Sequence, residues 1–260
     1  MAATLVVLAA SLTACGADAG ADPDDVETVI VTETAAAEPT DDMGGTPSMP
    51  TSAPTSEGPM APYTGAVTPE ELVEDLNGAV EITERFWEDH WTEFFTGTYT
   101  PPTVIGLYDG TDAASAPTCF DEPLPADNAF YCPDGDYVAW DQTLIARGFE
   151  VGDSWPYLVV AHEWGHAIQA RLAMSLQADA LELQADCLAG ATLYGSAADG
   201  NLTFEDGDEK EIVNALNQLS DETAWTMSGD HGDSFQRIEA FNTGRSGGVV
   251  ECLPRSKTKG

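Results

Sequence analysis

The residues in this chain best suited to do chemistry are two histidines four apart with a glutamate between them, in the run His162-Glu163-Trp164-Gly165-His166. On a helix, positions i and i+4 project from one face. His162 and His166 are therefore spaced to grip a single Zn²⁺, with Glu163 beside a metal-bound water as its general base. Twenty positions after His162 comes Glu182, and one helical turn beyond it Asp186. A chain that folds back on itself there supplies Glu182 as third ligand and leaves a fourth position for water, as catalytic zinc requires. Asp186 is placed to accept the second ring N–H of His162 or His166 and to fix its tautomer. The metzincin variant is excluded, because Gln169 and Leu172 stand where it needs Gly and His.

Such a site needs helices to hold it. Asp153 reads as an N-cap with Pro156 tolerated in the first turn. Trp155, Leu158, Val159, Ala161, Ala167, Ile168 and Leu172 then predict an apolar helix of about five turns. A turn near 174–177 leads to a second helix over about 176–194, with Glu182 and Asp186 on one face. Upstream, Thr68 and Glu71 form a capping box with Pro69 at the first helical position. That helix is expected to run to about residue 95 and to carry His90 as a hydrogen-bonded core residue. Strands are expected at 103–108, 129–131 and 137–140, the last as the edge strand that pairs with a substrate backbone. Further helices are expected over 208–219 and 234–241. More helix than strand gives an α+β class. The acidic stretch 199–210 fails an EF-hand frame, with Phe204 where the turn needs Gly and Lys210 where it needs Glu, so a solvated loop is expected.

The strings HEWGHAIQ at 162–169 and ELQADCLAG at 182–190 resemble the HEXGHXXQ and ELQADCXAG pair of the bacterial neutral zinc metallopeptidase family. AFYCPDGDYVAWD at 129–141, DHGDSFQRIEAFNTG at 230–244 and Cys252 extend the similarity, which covers roughly residues 67–253. The resemblance implies a zincin-like fold, Zn²⁺ on His162, His166 and Glu182, and Glu163 as catalytic base. Peptide hydrolysis is the expected reaction, with a peptide or protein as partner. A donor for the tetrahedral oxyanion is sought at His231, in a Gly-flanked loop, or at Tyr131. Two other readings stand beside it: a non-catalytic envelope lipoprotein that keeps zinc for stability, and a zinc hydrolase of a non-peptide amide.

Cysteines speak to the compartment. Of the five, Cys15 ends Leu12-Thr13-Ala14-Cys15, which resembles a lipoprotein signal box, so residues 1–15 read as a signal segment and Cys15 as a lipidation site. The other four allow three pairings, and local spacing favours Cys119 with Cys132 and Cys187 with Cys252. Residues 16–66, rich in Ala, Thr, Pro and acidic side chains, read as a disordered tether, leaving 67–260 as the catalytic domain. A lipid-anchored extracytoplasmic location is expected, with plain secretion as the alternative. A net charge of −36 argues against nucleic acid or an anionic lipid surface as partner.

Overall fold

The computed structural model describes residues 68–220 and 232–254, and every one of them lies in a single compact unit. Helix α1 (Pro69–Phe94) opens on the expected capping box, with the Thr68 side chain accepting from the Glu71 N–H and the Glu71 carboxylate accepting from the Thr68 N–H. Its apolar stripe, Leu72, Leu76, Ala79, Phe86 and Trp87, is buried. His90 is hydrogen-bonded as expected, to Asp199 at 2.9 Å, but it sits at the rim of the core and is partly exposed, since both its ring nitrogens reach carboxylates at the surface.

Three strands make a small mixed sheet. β1 (Thr103–Tyr108) pairs in parallel with β5 (Tyr137–Asp141), and β4 (Ala129–Cys132) pairs antiparallel with β5, giving the order β1-β5-β4. This corrects one expectation: β5 is the central strand, buried along its whole length, and β1 and β4 are the edges, β4 on the side of the cleft. The continuous run Tyr137, Val138, Ala139, Trp140 is what a strand covered on both faces looks like. A short hairpin of β2 (Thr118–Cys119) and β3 (Glu122–Pro123), and a helix α2 (Gln142–Phe149), had no counterpart in the sequence reading. Asp141 explains α2. Buried at the end of β5, its carboxylate accepts from the N–H groups of Thr143 and Leu144 as an N-cap, and also from those of Gly110 and Asp127.

Helix α3 (Ser154–Gln169) is buried on nearly every side. It ends three residues before Leu172, and Asp153 makes no side-chain cap. The start of the helix instead uses Glu211, whose carboxylate accepts from the Ser154 hydroxyl at 3.1 Å. A 3-10 turn at Met174–Leu176 follows, and α4 (Leu181–Ala198) begins five residues later than the sequence reading placed it. Side-chain amides satisfy the backbone of this connection: Gln177 donates to the carbonyls of Gln169 and Leu172, and Gln184 donates to that of Leu176. Helix α5 (Asp208–Gln218) matches expectation. Helix α6 (Ser234–Glu251) runs well past residue 241, capped by Asp233 and Gln236 and kinked at Gly248.

Glycines set the helix spacing. A Cβ at Gly244 of α6 would lie 1.8 Å from the Cys187 carbonyl oxygen of α4, and one at Gly190 of α4 would lie 2.2 Å from that of Phe241 of α6. The two backbones touch, and no larger residue fits either position. The disulfides join Cys119 to Cys132 and Cys187 to Cys252, so the first ties the β2–β3 hairpin to β4 and the second ties α4 to the end of α6.

Candidate metal centre

Helices α3 and α4 converge on one point. His162 Nε2 lies 3.2 Å from Glu182 Oε2, and His166 Nε2 lies 3.5 Å from the same oxygen. The two imidazole planes are near perpendicular, 4.9 Å between centroids. Gly165 makes this approach feasible. Ala185 of α4 packs on it so closely that an added Cβ would stand 3.0 Å from the Ala185 backbone. Within the motif Trp164 points the other way, into the core, where its Nε1–H donates to the Tyr99 hydroxyl at 2.7 Å.

The donor set can be tested against a metal by geometry. Four ligands at tetrahedral angles and bonds of about 2.0–2.1 Å stand about 3.3–3.4 Å from one another. The two histidine-to-Glu182 separations bracket that value, and all three donors lie within 4.8 Å of one another, so His162, His166 and Glu182 could hold one Zn²⁺. Electrostatics agree. Burial presses the imidazolium of His162 down, but Asp186 and Glu182 raise it overall, to about 10, and His166 is raised through Glu182 against the same burial. Burial works against ionised Glu182, yet the two histidines hold its carboxyl well below the ordinary range. A field that stabilises a proton there stabilises a metal cation in the same place.

The other face of each imidazole is held too. His162 Nδ1 is 2.8 Å from Asp186 Oδ1, and His166 Nδ1 is 2.9 Å from Gln169 Oε1. Asp186 is fully buried and takes two bonds from Arg237 of α6, Nε to Oδ2 at 2.8 Å and Nη2 to Oδ1 at 2.7 Å, while Arg237 Nη1 donates to the Leu219 carbonyl. The sequence reading missed both Gln169 and Arg237. The first enters the sequence analysis as a residue that rules out a metzincin and as the last of the HEWGHAIQ string, with no contact to His166 assigned to it. The second lies 51 positions from its partner, and no local pattern links them.

Glu163 is buried beside the histidines, and burial lifts its carboxyl above the ordinary range while His162 and His166 draw it back. It opens into a cleft walled on one side by the edge strand residues Ala129, Phe130 and Tyr131 and on the other by His162, His166 and Glu182. The Tyr131 hydroxyl is already engaged, donating to Asp136 at 3.0 Å; Asp136 in turn holds Arg171 through two bonds of 2.9 Å, which pins the β4–β5 hairpin to the end of α3. His231 and Cys15 lie outside the described residues. Among the described residues, Asp153, Asp208 and Glu211 also converge, without a histidine.

Two helices present two imidazoles and one carboxylate to a single point, with a buried carboxyl next to them, a donor set that could hold one metal ion. The chain belongs to the family described as "Putative neutral zinc metallopeptidase", whose model matches residues 27–253 and so begins upstream of the similarity noted from residue 67. The family's description is that of a zinc peptidase, and it implies Zn²⁺ as the cofactor. No curated protein and no solved structure matches the chain.

Proposed function

We propose that this chain is a zinc-dependent endopeptidase of zincin-like fold acting outside the cytoplasm, with His162, His166 and Glu182 as ligands and Glu163 as general base. The observation that carries the reading is that His162 Nε2 and His166 Nε2 stand 3.2 and 3.5 Å from one oxygen of Glu182, with both Nδ1 atoms turned to fixed acceptors. When bound, Zn²⁺ supplies Lewis acidity that acidifies water and polarises the scissile carbonyl. Glu163, whose carboxyl burial lifts above the ordinary range, accepts the proton of the attacking water and delivers it to the leaving amine nitrogen. The substrate backbone adds to the edge strand β4, which flanks the cleft, by strand pairing. His231 is the proposed oxyanion donor, because the Tyr131 hydroxyl is engaged by Asp136.

The location is part of the proposal. Two disulfides suit an oxidising compartment, and Cys15 after an apolar stretch suits lipid attachment, with residues 16–66 as tether and 67–260 as catalytic domain. Among the described residues no helix is long and apolar enough to cross a membrane.

The test is zinc content and digestion of an unfolded protein by the full chain and by Glu163→Gln. Wild type should hold about one zinc per chain and cleave. Glu163→Gln should keep the metal and lose about 10²–10⁴-fold in rate. A wild type that takes up no zinc, or a Glu163→Gln variant as active as wild type, overturns the reading.

A further inference from the structure

Gln169 is buried, one turn after His166, and it bonds in two directions. Its Oε1 is 2.9 Å from His166 Nδ1, while its Nε2 is 2.6 Å from the Leu181 carbonyl oxygen and 3.3 Å from Gln184 Oε1. The assignment of its two ends follows from chemistry. A carbonyl oxygen only accepts, so the Gln169 amide must turn its nitrogen to Leu181 and its oxygen to His166. His166 Nδ1 must then carry a proton, which leaves Nε2, on the Glu182 side of the ring, as the nitrogen available to a metal. The second bond has a further effect. The Leu181 carbonyl belongs to the same planar peptide unit as the N and Cα of Glu182, so fixing that oxygen fixes the backbone from which the Glu182 carboxylate projects.

We infer that Gln169 is a positioning residue that sets two zinc ligands at once, His166 by its tautomer and Glu182 through the Leu181 peptide. An amide is required because the role needs an acceptor and a donor on one side chain. A carboxylate would keep the His166 bond but set oxygen against oxygen at Leu181, and an apolar residue of the same length would make neither bond. The inference rests on the zinc reading above.

The test measures zinc affinity of the full chain by competition with a chromogenic chelator, for wild type, Gln169→Met and Gln169→Glu. Circular dichroism reports the fold, and the visible spectrum of the Co²⁺-loaded protein reports ligand geometry independently of activity. Loss of a group that orients a metal ligand lowers affinity about 10–100-fold. Both variants should fall in that range with an altered Co²⁺ spectrum and an unaltered fold. Gln169→Glu binding zinc as tightly as wild type overturns the double role, and Gln169→Met doing so overturns any role. If Gln169→Met does not fold, the near-isosteric Gln169→Glu decides by the same criterion. Failure of both to fold in excess zinc reduces Gln169 to a structural residue and overturns the inference. Wild type and variants that all bind zinc equally refute the brace and leave the zinc site standing; a wild type that binds none refutes both.

Discussion

Replacing Arg237 with Met tests whether the buried pair behind His162 stabilises the domain or merely occupies it. The side chains of Asp186 and Arg237 are 0% and 4% exposed, so the carboxylate has no water to fall back on. Removing one partner of a buried, hydrogen-bonded pair costs about 3–5 kcal/mol, because the remaining charge stays buried without compensation. Asp186 retains the bond from His162 Nδ1, which places the expected loss at the low end, about 3 kcal/mol. For a domain of this size each kcal/mol moves Tm by about 2–4 °C, so the shift should be about 6–12 °C. The assay is thermal unfolding of the chelator-treated protein at neutral pH. The pH dependence supplies a sign. Burial acts to raise the Asp186 carboxyl, but Arg237 and His162 hold it below its ordinary value. Its contribution is therefore present above the unfolded carboxyl pKa and is lost as pH falls through the depressed one, so the difference between variant and wild type should shrink in acid. A variant melting within about 2 °C of wild type at neutral pH would refute the argument.

Other expectations follow from the packing. Gly244→Ala drives a Cβ into the Cys187 carbonyl, a backbone atom that no rotamer change can move aside, and should cost at least about 1–3 kcal/mol, or about 2–12 °C in Tm; an unchanged Tm would mean that α4 and α6 do not meet there. Burial lowers the His90 imidazolium, but Asp199 and Glu93 raise it overall, so its contribution is complete below the unfolded pKa of about 6.5 and fades as pH rises through the folded one. His90→Gln should cost about 0.5–1 kcal/mol at pH 5.5 and little at pH 9 in urea unfolding, the surface range for such a pair, and a loss that grows with pH contradicts it. The Cys187–Cys252 bridge closes a separation of 65 residues and Cys119–Cys132 one of 13. By loop-closure entropy, Cys-to-Ser replacement of both partners should cost about 4 and about 3 kcal/mol respectively; the reverse order in denaturant titration would count against that account.

What could be read from the sequence was what depends on neighbours along the chain. Thr68 and Glu71 start α1 because a capping box is complete within four residues. The bounds of β1 and α5, and the i, i+4 placement of His162 and His166 on one helix, follow from equally short patterns. The pairing of cysteines followed from spacing because one bridge is local and the other two residues then have only each other. Errors began where a segment's surroundings decide its role. Periodicity ran the metal helix to Leu172 and began the next at residue 176. The side-chain amides of Gln177 and Gln184 instead satisfy the backbone between them and let the chain turn.

By itself, then, the sequence determined which atoms are available for the chemistry: two imidazoles one turn apart, a carboxylate between them and two more carboxylates on a following helix. Only the tertiary structure decided how those atoms are held. Strand order made β4 the edge beside the cleft and β5 the central strand, a pairing that lies in contacts between strands and not along either one. Helix contact decided that Gly165 must lack a side chain so that Glu182 can reach the histidines. The fold also brought Arg237 to Asp186 and the Leu181 carbonyl to Gln169, contacts between residues 51 and 12 positions apart. The physical reason is common to these cases: a ligand's identity is local, but its orientation belongs to buried hydrogen-bond partners that folding alone brings within reach.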